Sequence, residues 1–201
     1  MYIFDVDGTL VDSARDICGA MQEVLAAYGR TDVTDAQLRR YIGRHLMDMF
    51  RDLRVPQSEI DPMIAHYRRI YPERKNAMTS VFPGVNEALR ALGGRKSTAT
   101  VKSTRNTRIV LEQFGLLPHF HHVQGTDGFP AKPEPDVIFK SLEIFGVRPQ
   151  DCLFVGDSAA DMEAGRRAGV HTCGVRYGYG SIEEMLHWKP DYWIDDLREL
   201  A

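Results

Sequence analysis

Residues 2–8 read Tyr2-Ile3-Phe4-Asp5-Val6-Asp7-Gly8, and this stretch holds the most informative pattern in the chain. Its apolar start predicts a short buried strand that delivers two carboxylates at its carboxyl end. Gly8 permits a tight turn that can bring both carboxylates into one pocket. Two crowded acids are costly unless a cation lies between them or one stays protonated. The stretch therefore indicates a cation site or an acid–base pair, with an ordinary Asp-Gly turn as the alternative.

Polar residues also follow or precede other predicted elements further along the chain. Thr100 lies in a β-rich run, and Lys132 stands in a proline-flanked loop before a helical stretch. The apolar run at residues 152–155 predicts a buried strand that leads to Asp157, with Asp161 at the start of the next helix. Each of these polar segments is a weak indication when taken alone. Taken together in chain order, each lies at the carboxyl end of a predicted strand. In an open α/β sheet those ends face one crevice, so we expect these residues to share one site.

Strand and helix patterns alternate along the last two thirds of the chain, which predicts a doubly wound parallel sheet of the α/β class. The predicted helices cover residues 85–92, 105–114, 136–145 and 160–168, and the predicted strands cover residues 97–101, 122–124, 152–155, 171–175 and 192–194.

Residues 14–79 break this alternation. They contain no convincing strand, and their apolar residues recur at helical spacing, as in Ile17, Met21 and Val24. We therefore predict an α/β core domain formed by residues 1–13 and 80–201, with a small all-helical domain at 14–79. Residues 39–75 carry an excess of lysine and arginine, part of which can attract an anionic substrate.

Composition excludes several classes of function. The chain has 201 residues, 43% hydrophobic and 26% charged, and its net charge of −3 gives no case for nucleic-acid binding, which would require a basic stripe. No apolar segment approaches the roughly 20 residues that span a bilayer. We expect no signal peptide, because the first predicted strand begins at Met1. Three cysteines lack metal-binding spacing and fit buried free thiols. We expect a cytoplasmic protein without nucleic-acid or membrane partners, and the sequence does not indicate its oligomeric state.

The four polar segments resemble the motifs of the haloacid dehalogenase-like hydrolase superfamily, which are DxD, Ser or Thr, Lys, and an acidic GDxxxD form. Here they stand as Asp5-Val6-Asp7, Thr100, Lys132 and residues 156–161. The resemblance covers essentially the whole chain. The stretches at 110–116, 124–127 and 132–136 look most like the phosphoglycolate phosphatase branch. The resemblance implies a Rossmann-like core, a helical cap inserted after the DxD strand, and a Mg²⁺-dependent phosphatase acting on a small phosphate monoester.

The resemblance also implies roles for individual residues. The implied catalytic residues are Asp5, Asp7, Thr100 and Lys132; the metal-binding residues are Asp5, Asp7, Asp157 and Asp161; the substrate-binding residues are Gly8, Thr9, Val101 and Lys102. Asp5 would be the nucleophile that forms an aspartyl-phosphate, and Asp7 would supply a backbone carbonyl to the metal and move protons with its side chain. Asp161 would orient Lys132 or a metal-bound water, with a simple helix-terminal carboxylate as the alternative.

Arg44 and His45 follow Gly43 in a turn of the predicted cap. In this branch such a loop often enters the site, so these two residues could grip a substrate carboxylate, as phosphoglycolate would require. Exposed polar residues at a helix end are the equally good alternative.

Differences between this chain and related enzymes of the superfamily reduce the number of candidate activities. Dehalogenases and phosphonatases replace the second acid of DxD, so Asp7 argues against both. The β-phosphoglucomutases carry a histidine at the position that Ile17 occupies here. The absence of this histidine favours hydrolysis over return of the phosphoryl group. Pyrophosphatase, nucleotidase and sugar-phosphate phosphatase activities remain open because their DxD chemistry is the same. A non-catalytic binding protein on this fold would lack at least one of Asp5, Asp7, Lys132 or Asp157, and none is lost.

Overall fold

The computed structural model describes residues 1–201 and contains a five-stranded parallel sheet with the strand order β4-β1-β5-β6-β7. A separate antiparallel pair joins β2 to β3. The strands are β1 (Tyr2–Phe4), β2 (Val11–Asp12), β3 (Ser80–Val81), β4 (Lys96–Thr98), β5 (Leu153–Gly156), β6 (His171–Val175) and β7 (Tyr192–Ile194). The helices are α1 (Ala14–Ala27), α2 (Asp35–Arg39), α3 (Leu46–Asp52), α4 (Gln57–Ile70), α5 (Val85–Ala91), α6 (Thr104–Gln113), α7 (Asp136–Phe145), α8 (Ala159–Ala168) and α9 (Ile182–His187).

Helices cover both faces of the sheet, and the alternation of side chains along β1 shows why. Phe4 packs in a buried apolar cluster with residues of α5 and α6, whereas Ile3 packs in a second cluster with residues of α7 and α8. Successive side chains of a strand point to opposite faces, so an uninterrupted apolar strand requires cover on both sides. This arrangement confirms the predicted doubly wound α/β class.

The helices α1 to α4 pack around an apolar cluster of their own, which includes Leu38, Phe50 and Met63. The β2–β3 pair stands at the two ends of this helical segment, with Val11 opposite Val81. Next to it, Asp16 Oδ2 accepts hydrogen bonds from the Met78 amide at 3.0 Å and from the Thr79 hydroxyl at 2.7 Å. The division into residues 1–13 and 80–201 against 14–79 stays a prediction, and this separate core supports it.

The predicted strand at residues 122–124 is wrong. These residues form no ladder beside the edge strand β4, and only an isolated bridge joins Thr100 to Gly125. The Thr98 hydroxyl accepts a hydrogen bond from the Gln124 amide at 2.8 Å, so a side chain takes the place of a backbone partner. The other predicted core strands and helices are present, although β4 ends at Thr98 rather than residue 101.

None of the helices combines the length and apolar character that crossing a membrane demands. The three cysteines are buried and unpaired.

Candidate active site

The polar residues predicted from the sequence meet at the carboxyl edge of the sheet. Asp5 directly follows β1 and its amide donates to the Val155 carbonyl of β5 at 2.9 Å. Asp157 directly follows β5, and Thr100 lies two residues beyond β4. Because these three strands are neighbours and parallel, their ends deliver the side chains to one point. Asp5, Asp157 and Thr100 are all buried.

Lys132 connects the two acidic segments from a fully buried position. Its ammonium group donates to Asp5 Oδ1 at 2.6 Å, to Asp161 Oδ1 at 2.5 Å and to the Ala99 carbonyl at 2.9 Å. All three protons of the ammonium are therefore engaged. Burial alone would lower the pKa of Lys132, but the carboxylates of Asp161 and Asp5 raise it above its ordinary value. Lys132 thus stays a fixed positive charge beside Asp5.

Asp161 holds Lys132 in place. It occupies the first turn of α8, where its Oδ2 accepts hydrogen bonds from the amide of Ser158 at 3.0 Å and from its hydroxyl at 2.6 Å. Ser158 and Asp161 form a reciprocal cap of the helix. Since Oδ1 accepts from Lys132, both oxygens of Asp161 already have partners. Its geometry is that of an orienting group, and the predicted contact with metal stays a prediction.

The Asp5 carboxylate has an unused oxygen. Its Oδ2 is buried without a hydrogen-bond partner, an uncommon state for a buried polar atom. Burial raises the pKa of Asp5 to about 7 against the opposing effect of Lys132. Burial, then the nearby Asp161 and Asp5, raise the pKa of Asp157 well above its usual range.

Carboxylate oxygens of Asp5, Asp157 and Asp161 lie within 4.8 Å of one another. A divalent cation fits this set of closely spaced carboxylate oxygens, because hard oxygen ligands suit Mg²⁺. It would also relieve the repulsion that raises these pKa values.

Gly8 and Thr9 lie against Asp157. Gly8 adopts φ +95°, and a Cβ there would stand 2.2 Å from Asp157 Oδ2, so only glycine fits this turn. The Gly8 amide donates to the Val11 carbonyl at 2.9 Å, and the Thr9 hydroxyl lies 3.4 Å from Asp157 Oδ1. Both residues support the acidic cluster directly, and their predicted contact with substrate stays a prediction.

The Asp7 side chain is held from two sides. Its Oδ1 accepts a hydrogen bond from the Ser13 hydroxyl at 2.6 Å, and its Oδ2 lies 3.1 Å from the Lys102 ammonium. Lys102 also donates to the Tyr71 hydroxyl at 3.0 Å, which links the core to the end of α4. Burial alone would lower the pKa of Lys102, but Asp7 and the two tyrosines, Tyr71 and Tyr67, raise it above its usual range. Asp7 therefore has a permanent positive neighbour.

A cleft of about 660 Å³ opens beside Asp7, between the sheet edge and the helical segment. The predicted residues that line it are Asp7, Val101, Lys102, Arg44 and His45. Thr100 lies deeper, where its hydroxyl accepts a hydrogen bond from the Lys102 amide at 3.3 Å. The structure thus brings Arg44, His45 and Asp7 to one cleft, which Asp5, Lys132 and Asp157 do not line.

The positive residues of the cleft differ in their partners. Arg44 lies 3.4 Å from the carboxylate of Asp52, and the ring Nδ1 of His45 accepts from the Met47 amide at the start of α3. Arg68 of α4 and Arg105 of α6, which no sequence motif marks, line the same cleft. Neither forms a salt bridge. The excess of positive charge at residues 39–75 was the signal that could have revealed Arg68.

The turn at Tyr41–Arg44 lies against the start of α8, where Ser158 caps the helix. A Cβ at Gly43 would be 3.5 Å from the Ser158 hydroxyl, an ordinary packing distance. A second cavity of about 730 Å³ on the far side of this turn reaches Lys132 and Ser158. The turn therefore separates the two cavities, since Tyr41, Ile42 and Arg44 line both of them.

Residues 2–175 match the family model described as haloacid dehalogenase-like hydrolase. Phosphoglycolate phosphatase 1 of Pseudomonas aeruginosa is 32% identical over 212 residues, covering 100% of this chain and 78% of the relative. The phosphoglycolate phosphatase of Agrobacterium fabrum is 34% identical over 214 residues, covering 99% and 89%. A haloacid dehalogenase-like hydrolase from Bacteroides fragilis superposes with a TM-score of 0.94 at 28% identity, covering 100% of this chain and 98% of its own.

Proposed function

This chain belongs to the haloacid dehalogenase-like hydrolase family, and from that premise we propose that it is a magnesium-dependent phosphatase of the phosphoglycolate phosphatase type. It would hydrolyse a small phosphate monoester through an aspartyl-phosphate on Asp5. Relatives at 32% and 34% identity are named phosphoglycolate phosphatases, which supports this substrate class.

One observation carries the proposal. Asp5 is a buried carboxylate with Lys132 at 2.6 Å from one oxygen and no partner for the other. A carboxylate kept only for structure would have both oxygens satisfied, as Asp161 does. An oxygen free to react beside a fixed positive charge is what a nucleophile requires.

The same cluster suits a magnesium ion. Asp5 and Asp157, with the backbone carbonyl of Asp7, would hold it. When bound, the ion would supply positive charge that offsets the repulsion between the phosphate group and the carboxylates. Lys132 would contribute to the same purpose from its own side of Asp5.

Proton transfer falls to Asp7. An oxygen of Asp5 attacks phosphorus, the bond between phosphorus and the ester oxygen breaks, and protonated Asp7 donates its proton to the leaving alkoxide. Water then attacks the phosphorus of the aspartyl-phosphate and gives a proton to Asp7, and the bond from Asp5 to phosphorus breaks to release phosphate. The Thr100 hydroxyl and the Val101 amide would hold phosphate oxygens during both steps.

The lining of the cleft suits a negatively charged leaving group. It borders Asp7, where the leaving group must lie to receive the proton, and it is lined by Arg44, Arg68 and Arg105. A guanidinium binds a carboxylate through two parallel hydrogen bonds, so the carboxylate of phosphoglycolate would be recognised here. The net charge of −3 argues against a nucleic-acid substrate, and three unpaired buried cysteines fit a reducing cytoplasm.

The experiment measures phosphate release from phosphoglycolate and p-nitrophenyl phosphate, with Mg²⁺ and with chelator. We expect Mg²⁺-dependent hydrolysis of both esters and its loss in Asp5→Asn. Asp151→Asn is the matched control, because it makes the same change to an exposed carboxylate at the opposite edge of the sheet. Hydrolysis that persists in Asp5→Asn would refute the mechanism. Preferential hydrolysis of inorganic pyrophosphate, a nucleotide or a sugar phosphate would refute phosphoglycolate as the substrate, while the aspartyl-phosphate mechanism would stand.

A further inference from the structure

The segment after β6, Tyr177–Gly180, crosses directly over Asp157. The Tyr179 amide donates to Asp157 Oδ2 at 2.8 Å. A Cβ at Gly178 would stand 2.2 Å from the Cβ of Asp157, so the backbone reaches this carboxylate only because a glycine is present. The segment is thus fixed to one of the acids of the site.

The side chain of Tyr179 extends from there to the linker that enters α1. Its hydroxyl donates to Asp12 Oδ1 at 2.7 Å and accepts from the amides of Ser13 at 2.8 Å and Ala14 at 3.1 Å. A phenol has one proton and two lone pairs, so these three contacts use its full capacity. All of the hydrogen-bonding capacity of the Tyr179 hydroxyl is therefore taken up by residues 12–14, so the hydroxyl fixes the backbone of this linker.

Ser13 in turn contacts Asp7, because its hydroxyl donates to Asp7 Oδ1 at 2.6 Å. The only other polar partner of this carboxylate is Lys102. Tyr179 and Ser13 therefore connect Asp157 to Asp7: the Tyr179 amide contacts Asp157, the Tyr179 hydroxyl contacts the Ser13 amide, and the Ser13 hydroxyl contacts Asp7.

We propose that Tyr179 is a positioning residue for proton transfer: its hydroxyl fixes Ser13, and Ser13 orients the Asp7 carboxyl towards the leaving group. The proposal rests on the role of Asp7 given under the proposed function. A carboxyl moved by a fraction of an ångström still fits the pocket but transfers its proton less well, since misplacement of about 1 Å can cost roughly a hundredfold in rate.

Tyr179→Phe tests this role, because it keeps the ring and the amide contact to Asp157 and removes only the hydroxyl. We expect kcat for an alkyl phosphate to fall by roughly tenfold or more. For p-nitrophenyl phosphate, whose leaving group needs little protonation, we expect a fall of less than about threefold. Tyr177→Phe is the matched control: its hydroxyl donates to the Thr9 carbonyl and not to the linker, so it should change the two substrates equally.

Three further variants keep the outcome decisive. Ser13→Ala should show the same dependence on leaving group, and Tyr179→Phe added to Ser13→Ala should reduce kcat no further, because both act through one contact. Should Tyr179→Phe not fold, Asp12→Asn weakens the acceptor of the same hydroxyl and carries the same expectation.

The Mg²⁺-induced rise in melting temperature should persist in Tyr179→Phe, since the Asp157 contact comes from the backbone. Equal losses on both substrates, or additive losses with Ser13→Ala, would overturn the positioning role. Absence of Mg²⁺-dependent hydrolysis in the wild-type protein would instead overturn the proposed function.

Discussion

Replacing Lys132 with methionine removes the only positive charge that contacts Asp5 and Asp161. Methionine keeps the length and apolar stem of the side chain, so the principal change is electrostatic. Lys132 is fully buried, with ion pairs at 2.6 and 2.5 Å and a hydrogen bond to Ala99 at 2.9 Å. Loss of one member of a buried pair costs about 3–5 kcal/mol. At about 2–4 °C per kcal/mol for a chain of this size, the melting temperature should fall by roughly 6–20 °C.

The loss should also depend on pH. Burial raises the pKa of Asp5 to about 7 even though Lys132 lowers it, and removing Lys132 raises it further. A carboxyl whose folded pKa is raised keeps its proton after the unfolded chain has released it, so stability falls as pH rises through this interval. We therefore expect the deficit of Lys132→Met to be larger at pH 8 than at pH 5, where Asp5 is protonated in both proteins.

Urea unfolding in the presence of a chelator measures this deficit, because bound Mg²⁺ would otherwise replace part of the lost charge. Lys140→Met is the matched control, since Lys140 forms an exposed pair with Glu143 at 3.7 Å and such pairs contribute about 0–1 kcal/mol. A deficit for Lys132→Met below about 1 kcal/mol, equal to the control or independent of pH, would refute the view that this lysine balances the buried acids.

Three further predictions concern the reaction. Asp7→Asn should reduce kcat for alkyl phosphates more than for p-nitrophenyl phosphate, since a poor leaving group needs a proton; equal losses would leave Asp7 as a positioning residue only. Asp157→Asn should abolish the rise in melting temperature that Mg²⁺ produces, and a retained rise would place the ion elsewhere. Arg44→Ala and Arg105→Ala should each raise KM for phosphoglycolate by roughly tenfold or more, from a charged contact of about 1.5–3 kcal/mol. Both should leave p-nitrophenyl phosphate unchanged, with Arg51→Ala outside the cleft as the control; equal effects on both esters would contradict recognition of the carboxylate.

The fold class and the convergence of Asp5, Thr100 and Asp157 were predictable because they follow from the order of strands and from sheet geometry. Lys132 follows no strand and reaches Asp5 from the loop before α7. Apolar runs in the sequence indicate buried strands, and parallel strands bring their carboxyl ends to one edge of the sheet. The family resemblance, which the comparisons confirm, rested on the same residues. The individual catalytic and binding roles stay predictions for the experiments above.

The contacts that depend on packing between distant segments were not predictable. Tyr179 is separated from Asp12 by 167 positions, and neither residue type nor spacing marks such a pair. The error at residues 122–124 has a similar origin, since the Thr98 side chain competes with the backbone ladder there. Cleft residues such as Arg105 escape notice because a solvated arginine on a helix looks the same in sequence whether or not it borders a site.

The central claim is that Asp5 carries the phosphoryl group, and mass spectrometry of acid-quenched enzyme tests it most directly. The protein is mixed with Mg²⁺ and p-nitrophenyl phosphate, whose leaving group needs little protonation, so that Asp7→Asn can still form the intermediate. It is then quenched and digested to release the segment Met1–Arg15, which contains Asp5 and Asp7. Asp7→Asn should accumulate the intermediate because it lacks the base that activates water. We predict one phosphoryl group on Asp5 in the wild-type and Asp7→Asn proteins, and none in Asp5→Asn. A phosphoryl group on any other residue, or phosphate release from Asp7→Asn without a phosphorylated segment, would contradict the account.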